Sequence, residues 1–292
     1  DHRDLHSFPT RRSSDLVDPQ KAKAFADKWG GEVVSKYDGM IGKVDGVASG
    51  GLYEAPWQHK IFRPYIDAGV PTYISRPWSN RLRDLDEILD LAAKKNTPLI
   101  ATATYEHYTE ADALRDRLKN VGVIKSAMAT CGGGDLPHFH IQYMMAKILG
   151  YKPAKVSVFS DDLMKSGYLQ ETFLYPAVEK QPQFLCTMQS APGPHVFRIT
   201  VEGTEGTETV SMPGNANYFT RFAPQLIDIQ KTIMTKKSYQ PLDVVRKKFE
   251  IFLAANYSFE TRNGAMVDVG SVPAEWGPKI IRPGFVNEAI FR

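Results

Sequence analysis

Cysteine is almost absent from this chain, with Cys131 and Cys186 alone among 292 residues. That excludes a disulfide framework and leaves no C-x-x-C spacing for a metal or redox site. Long apolar runs are missing too. No window approaches eighteen consecutive apolar residues, so the sequence holds no transmembrane helix and no membrane partner is expected. Charge of one sign is scarce, since 36 Lys and Arg face 33 Asp and Glu. No basic run with interleaved aromatics occurs, so the electrostatic footprint of a nucleic-acid binder is missing. The G-x-S-x-G elbow of serine hydrolases is also lacking. What remains is ordinary globular composition, 42% hydrophobic and 24% charged, in a length that holds one large or two medium domains.

Residues 1–16, DHRDLHSFPTRRSSDL, show no periodicity. They translate codon by codon from a DNA string that resembles a common short-read sequencing adapter, and are read as a non-native leader outside the fold. The expectation that follows is a native start upstream of Val17, where any export signal would lie. The cytoplasm is the default compartment.

From Val17 onward the pattern is regular. Asp18-Pro19 opens a helix that Gly30-Gly31 ends, because Asp accepts bonds from first-turn amides and Pro is tolerated at the first helical position. A strand is expected over Glu32 to Ser35. Apolar β-prone runs follow at Val44 to Ser49, Pro71 to Ser75 and Pro98 to Thr104, evenly spaced and separated by helical patterns at Pro56 to Ala68 and Asn80 to Lys95. Such alternation marks βαβ units and a parallel sheet. Thr109-Glu110-Ala111-Asp112 reads as a capping box for a helix reaching Asn120.

Near Gly122 the character changes. Strands are expected at Val123 to Thr130, Ala154 to Ser160, Gln170 to Tyr175, Phe184 to Ser190, His195 to Val201 and Glu208 to Met212. Gly203-Thr204-Glu205-Gly206 reads as a hairpin turn whose glycines supply positive φ. Helices at Ala216 to Thr235 and Leu242 to Tyr257 complete the chain. The fold class is therefore α/β: a truncated Rossmann-type parallel sheet, then an α+β domain with a mostly antiparallel open sheet.

The segments VDPQKAKAFADKWG, VDGVASGG, DAGVPTYISRPWS, GTEGT and AANYSFETRNGAMVDV together resemble the Gfo/Idh/MocA family of nicotinamide-dependent oxidoreductases. The resemblance covers nearly all of residues 17–292. It implies a dinucleotide-binding Rossmann domain over 17–121, here without its first strand and G-x-G-x-x-G turn, and a substrate and oligomerisation domain over 122–292. Asp18 falls where an acidic residue would bind a ribose hydroxyl, which favours NAD over NADP as cofactor. A plain helix N-cap is the alternative for Asp18. Ser49, Gly50 and Gly51 follow a strand at the carboxyl end where open α/β sheets bind ligands, although a tight turn needs glycines as well. Gln58 takes the place of a family histidine, and His59 beside it receives no role.

The family's Glu-Lys-Pro motif aligns on Ser75, Arg76 and Pro77. These would line the cofactor, with Arg76 catalytic in an electrostatic sense only, since a guanidinium stays protonated and cannot act as a base. A surface arginine before a proline turn is the plainer reading. The second motif, D-x-G-x-H-x-x-D, places its histidine on His140, with Leu136, His138 and Tyr143 at the flanking positions and Asp135 one residue off register. His140 is then the general acid/base and Tyr143 a substrate contact or proton relay one turn along. Asp135, His138 and His140 would bind substrate. A satisfied structural histidine is the alternative. A metal held by His138, His140 and Asp135 is disfavoured, because positions two apart on a helix diverge by about 200°.

The resemblance thus implies hydride transfer between NAD(P) and a secondary alcohol or carbonyl carbon of a sugar or cyclitol, in a homo-oligomer built through the C-terminal sheet. The altered SRP and LPHFHIQY segments keep two alternatives open: a member that binds nucleotide or sugar without turnover, and a NAD-dependent glycosidase.

Overall fold

The computed structural model describes residues 19–48, 55–132, 137–160, 168–191, 196–212 and 218–279. They form two compact units. One takes the residues up to Thr102 together with Ile227–Arg246, the other Ala103–Leu226 with Lys247–Ile280. The sequence set the division after residue 121, whereas these units meet between Thr102 and Ala103 and the first regains residues from the late helices.

In the first unit, α1 (Pro19–Trp29) ends at Gly30, whose φ of 75° turns the chain back so that Gly31 N donates to Ala26 O at 2.9 Å. Only a left-handed residue makes that closure, and glycine adopts it without strain. The strand expected over Glu32 to Ser35 does not form. Val33 there is exposed and Glu32 reaches back to Lys43, so the segment offers no apolar face to bury. The parallel sheet among the described residues has three strands in the order β1 (Val47–Ala48), β2 (Thr72–Ile74), β3 (Leu99–Ala101).

The helices α2 (Ala55–Asp67) and α3 (Leu82–Lys95) connect these strands in βαβ fashion. Leu82, Leu85, Ile88, Leu89 and Ala92 form the buried stripe of α3, as the 3.6-residue period dictates. Tyr73 and Ile100 of the sheet pack with Ile229, and Ile233 and Tyr239 extend that cluster. Ser238 Oγ accepts from Leu99 N at 3.0 Å. That bond occupies an edge of β3 that would otherwise stand open to pairing.

The second unit is built on a seven-stranded sheet, ordered β10-β5-β6-β7-β4-β8-β9. Its strands are β4 (Ile124–Gly132), β5 (Lys155–Phe159), β6 (Leu169–Tyr175), β7 (Phe184–Ala191), β8 (Phe197–Gly203), β9 (Thr207–Met212) and β10 (Val267–Asp268). Only β4 and β7 run parallel; every other pair is antiparallel. Strict alternation of buried and open residues along β6, β7 and β8 gives the sheet one covered face. On it lies α5 (Pro137–Leu149), over β4 and β7, with α4 (Thr109–Arg117) beside it.

The other face carries an uncharged row in register: Ser157, Thr172, Thr187, Met128, Thr200 and Thr209. Met128 and its neighbour Leu185 are both about half exposed. The late helices are α6 (Tyr218–Thr235) and α7 (Leu242–Arg262), the latter one turn longer than expected. No helix among the described residues is long and apolar enough to cross a membrane.

Two local expectations need correction. Thr109 does not cap α4; Tyr108 holds the N-cap position without a side-chain bond. Capping by a carboxylate occurs one turn earlier, where Glu106 Oε1 accepts from Ala103 N at 2.7 Å. The hairpin at residues 203–206 does form, with Gly203 N donating to Gly206 O at 2.9 Å, but neither glycine has a positive φ. Gly203 is required by proximity instead, since a Cβ there would meet Val121 O at 2.1 Å and Val123 O at 2.8 Å. A Cβ on Gly206 would meet nothing closer than 3.6 Å. Gly203→Ala should therefore destabilise the protein by about 1–3 kcal/mol, and Gly206→Ala by less than about 0.5 kcal/mol. Urea unfolding of both variants checks this; equal effects would return the turn to a conformational explanation.

Candidate functional site

Because β1, β2 and β3 are parallel, their carboxyl ends share one edge of the first unit, the edge where open α/β sheets bind ligands. Asp18, Ser49, Gly50 and Gly51 lie outside the described residues. Ser75, Arg76 and Pro77 follow β2 directly at this edge, Ser75 and Pro77 buried and Arg76 half-buried. Arg76 Nη1 lies 3.4 Å from Ser75 Oγ, and the Arg76-Pro77 bond is cis.

One residue given no role in the sequence turns out to hold this segment. Gln58, fully buried on α2, donates from Nε2 to Ser75 O at 3.1 Å, while its Oε1 is buried with no hydrogen-bond partner among the described residues. His59 beside it is half-buried, and burial holds its imidazole below the ordinary value against the pull of Asp84.

In the second unit α5 carries His140 and Tyr143. His140 is half-buried, with its ring edge-on to Tyr105 at 4.3 Å, and Tyr105 also packs on Tyr108 and Phe197. Tyr143 is completely buried. Its ring faces the Lys248 ammonium at 5.5 Å, so one helical turn separates a half-open imidazole from a sealed phenol. Helix α5 is already formed at position 138, and positions two apart on a helix are separated by about 200°. Asp135 and the side chain of His138 fall outside the described residues. Among the described residues no three His, Cys, Asp or Glu side chains are grouped to hold a metal.

Beneath His140 lies a network that the sequence reading passed over. Lys248 of α7 and Glu106 of the 3₁₀ turn Thr104–His107 are both wholly buried and meet at 2.8 and 3.1 Å. Burial pushes the Lys248 ammonium below its usual range, and the Glu106 carboxylate opposes that. Lys147 of α5 donates to Glu106 O and to Asp112 of α4 at 2.9 Å. The free thiols Cys131 and Cys186 sit on the neighbouring strands β4 and β7. Desolvation raises both, Cys131 to about 11, so neither is a ready nucleophile.

No family model and no curated protein matches the chain. Solved structures do match its fold. Myo-inositol dehydrogenase from Lactobacillus casei, in complex with NAD(H) and myo-inositol, superposes with a TM-score of 0.72 at 11% identity, over 91% of this chain and 90% of that one. Myo-inositol 2-dehydrogenase from Lactobacillus plantarum gives 0.71 at 11% over 87% and 89%. Scyllo-inositol dehydrogenase from Lactobacillus casei, with NAD(H) and scyllo-inositol, gives 0.69 at 13% over 87% and 90%. The chain has the α/β fold of these proteins.

The buried pair yields a stability prediction. Lys248→Met leaves Glu106 charged and unpaired out of water and should cost about 3–5 kcal/mol. The double variant Glu106→Gln, Lys248→Met should recover much of that loss. Denaturant unfolding of the three proteins as a double-mutant cycle checks it, and additive losses would show that the pair is not coupled.

Proposed function

We propose that the protein is an oxidoreductase that passes a hydride between a nicotinamide cofactor and a secondary alcohol or carbonyl carbon of a cyclitol or sugar. The observation that supports this most strongly is a fold shared over about nine-tenths of the chain with inositol dehydrogenases solved with NAD(H), with Ser75-Arg76-Pro77 at the carboxyl edge of the parallel sheet. One buried atom supports a cofactor there. Gln58 Oε1 is a buried acceptor left unsatisfied beside Ser75, and such an atom is costly unless a donor meets it.

Ser75, Arg76 and Pro77 would line the cofactor, with Ser49, Gly50, Gly51 and Asp18 completing the site, and the Asp18 carboxylate would repel the extra phosphate of NADP. Bound nicotinamide supplies the hydride acceptor. Arg76 would orient the substrate oxygen and stabilise negative charge on it. His140 would take the hydroxyl proton, and Asp135 and His138 would contact substrate. Tyr143 is left to support the helix rather than touch substrate, since it is sealed. The outer face of the seven-stranded sheet, with its uncharged central row, is the surface through which we propose that copies associate.

Titration of the full-length protein with NADH and NADPH should show binding, tighter for NADH. Failure of both at millimolar concentration would end this reading. With a panel of inositols and hexoses as substrates, His140→Ala should lower turnover by about 10²–10⁴ fold, while Arg76→Lys should retain substantial activity and introduce a new inflection in the pH profile. Small and equal effects from both substitutions would mean that the roles are misassigned.

A further inference from the structure

Two residues beyond His140 on α5, Gln142 meets a carboxyl group that has no cation to neutralise it. Glu171 projects from β6 onto the covered face of the sheet, and both side chains are buried, at 1% and 2% exposure for Glu171 and Gln142. Gln142 Nε2 stands 2.9 Å from each of the two Glu171 oxygens. Gln142 Oε1 is sealed from solvent and has no hydrogen-bond partner among the described residues. An ionised carboxylate only accepts, so it cannot serve that oxygen; a carboxylic acid carries one O–H donor and can.

The surroundings agree. The titratable groups that act on Glu171 are the Cys131 thiol of β4 and the Cys186 thiol of β7, both neutral because burial raises them. Ser190 of β7 bonds to Cys131 at 3.7 Å. From α5 the group that reaches Glu171 is the Gln142 amide, and among the described residues no Lys, Arg or His forms an ion pair with this carboxyl. An unpaired charge in such a place costs several kcal/mol, which ordinarily drives the group to its neutral form.

We propose that Glu171 is a neutral carboxylic acid in the folded protein, paired reciprocally with Gln142, and that this pair seats α5, and with it His140, on the sheet. The pair is completed when the Gln142 amide turns from its placement at 2.9 Å from both Glu171 oxygens, so that Nε2 donates to one of them and the O–H on the other donates to Gln142 Oε1. The pair stands on its own geometry. Only its bearing on turnover rests on the hydride-transfer reading. Glu171 is thus a positioning residue and touches no reacting atom.

The pH consequence has a definite sign. Burial pushes Glu171 from 4.5 up to about 8, with the Gln142 bond opposing the shift. The folded state therefore holds the proton over a range where the unfolded chain has released it. The stabilisation is fully present below about pH 4.5 and is lost progressively as pH rises to about 8. Glu171→Gln keeps the shape, supplies a permanent donor to Gln142 Oε1 and has no proton to lose.

Denaturant unfolding of the wild-type protein and Glu171→Gln, from about pH 5 to about pH 9, tests the pair, because the wild-type folding constant should fall relative to the variant by up to tenfold per pH unit below about pH 8. Parallel profiles, or a variant that is less stable by a constant factor, would overturn the proposal. A readout that needs no variant is the infrared spectrum of the wild-type protein, where a hydrogen-bonded, protonated carboxyl band should persist at neutral pH and disappear on alkalinisation. Its absence at neutral pH would also overturn the proposal. Seating is read from the His140 imidazole resonance, assigned with His140→Gln. It should carry an inflection where Glu171 ionises, and that inflection should vanish in Glu171→Gln. A resonance indifferent to that ionisation overturns the seating role, and none of these readouts depends on cofactor or substrate.

Discussion

An ammonium and a carboxylate withdrawn completely from water, Lys248 and Glu106, hold the helical side of the second unit in place. Desolvating two charges costs several kcal/mol each, and their attraction offsets this only where the geometry is close and the remaining bonds are filled. Both conditions are met here. Glu106 Oε1 also takes the Ala103 amide, its own carbonyl takes Lys147, and the Tyr143 ring covers Lys248. The 3₁₀ turn, α5 and α7 are consequently fixed by one set of bonds, and a shift of any of them would strand a charge. Tyr143 acquires its place from this arrangement, as the apolar lid of a buried cation.

Much of this architecture was legible. The even spacing of the runs at Val44, Pro71 and Pro98 announced a parallel sheet, and the strand expected at Gln170 to Tyr175 forms with one residue more, from Leu169. What failed was local chemistry decided by distant contacts. Glu32 to Ser35 had strand-like residues but no apolar face to bury. Gly203 looked like a conformational glycine and is a steric one, because Val121 and Val123 pass too near for any side chain. The pairs Glu106 with Lys248 and Gln142 with Glu171 join residues 142 and 29 positions apart, and no local pattern links them. A signal did exist: Glu171 sits in phase with the buried residues of β6, and Lys248 in phase with Val245, Phe249 and Phe252 of α7. A charged residue in an apolar phase demands a partner even when the sequence does not say which.

Of the expected site residues, the described structure sets Ser75, Arg76 and Pro77 at the carboxyl edge of one sheet and His140 half-open on α5. The alignment of motifs located these positions because strand ends and helix starts are fixed by turn residues that the sequence displays. It reached Gln58 as the stand-in for a family histidine but not what that residue does. That residue acts through a bond to the backbone of Ser75, and a backbone acceptor leaves no trace in side-chain identity.

The second unit buries two carboxyl groups under one helix layer and resolves the cost of each differently. Glu106 faces an ammonium and a backbone amide, so charge is answered by charge and the arrangement persists wherever lysine stays protonated. Glu171 faces an amide and two thiols, so among the described residues no cation answers its charge and the proton itself must do so. The first solution sets one charge against another. The second is conditional on pH. Both act on α5, with Tyr143 over the ion pair and Gln142 in the neutral pair, and His140 lies within one turn of each. A helix held by one charged and one neutral contact has a defined place for motion to begin, at the Glu171 side, when that carboxyl ionises.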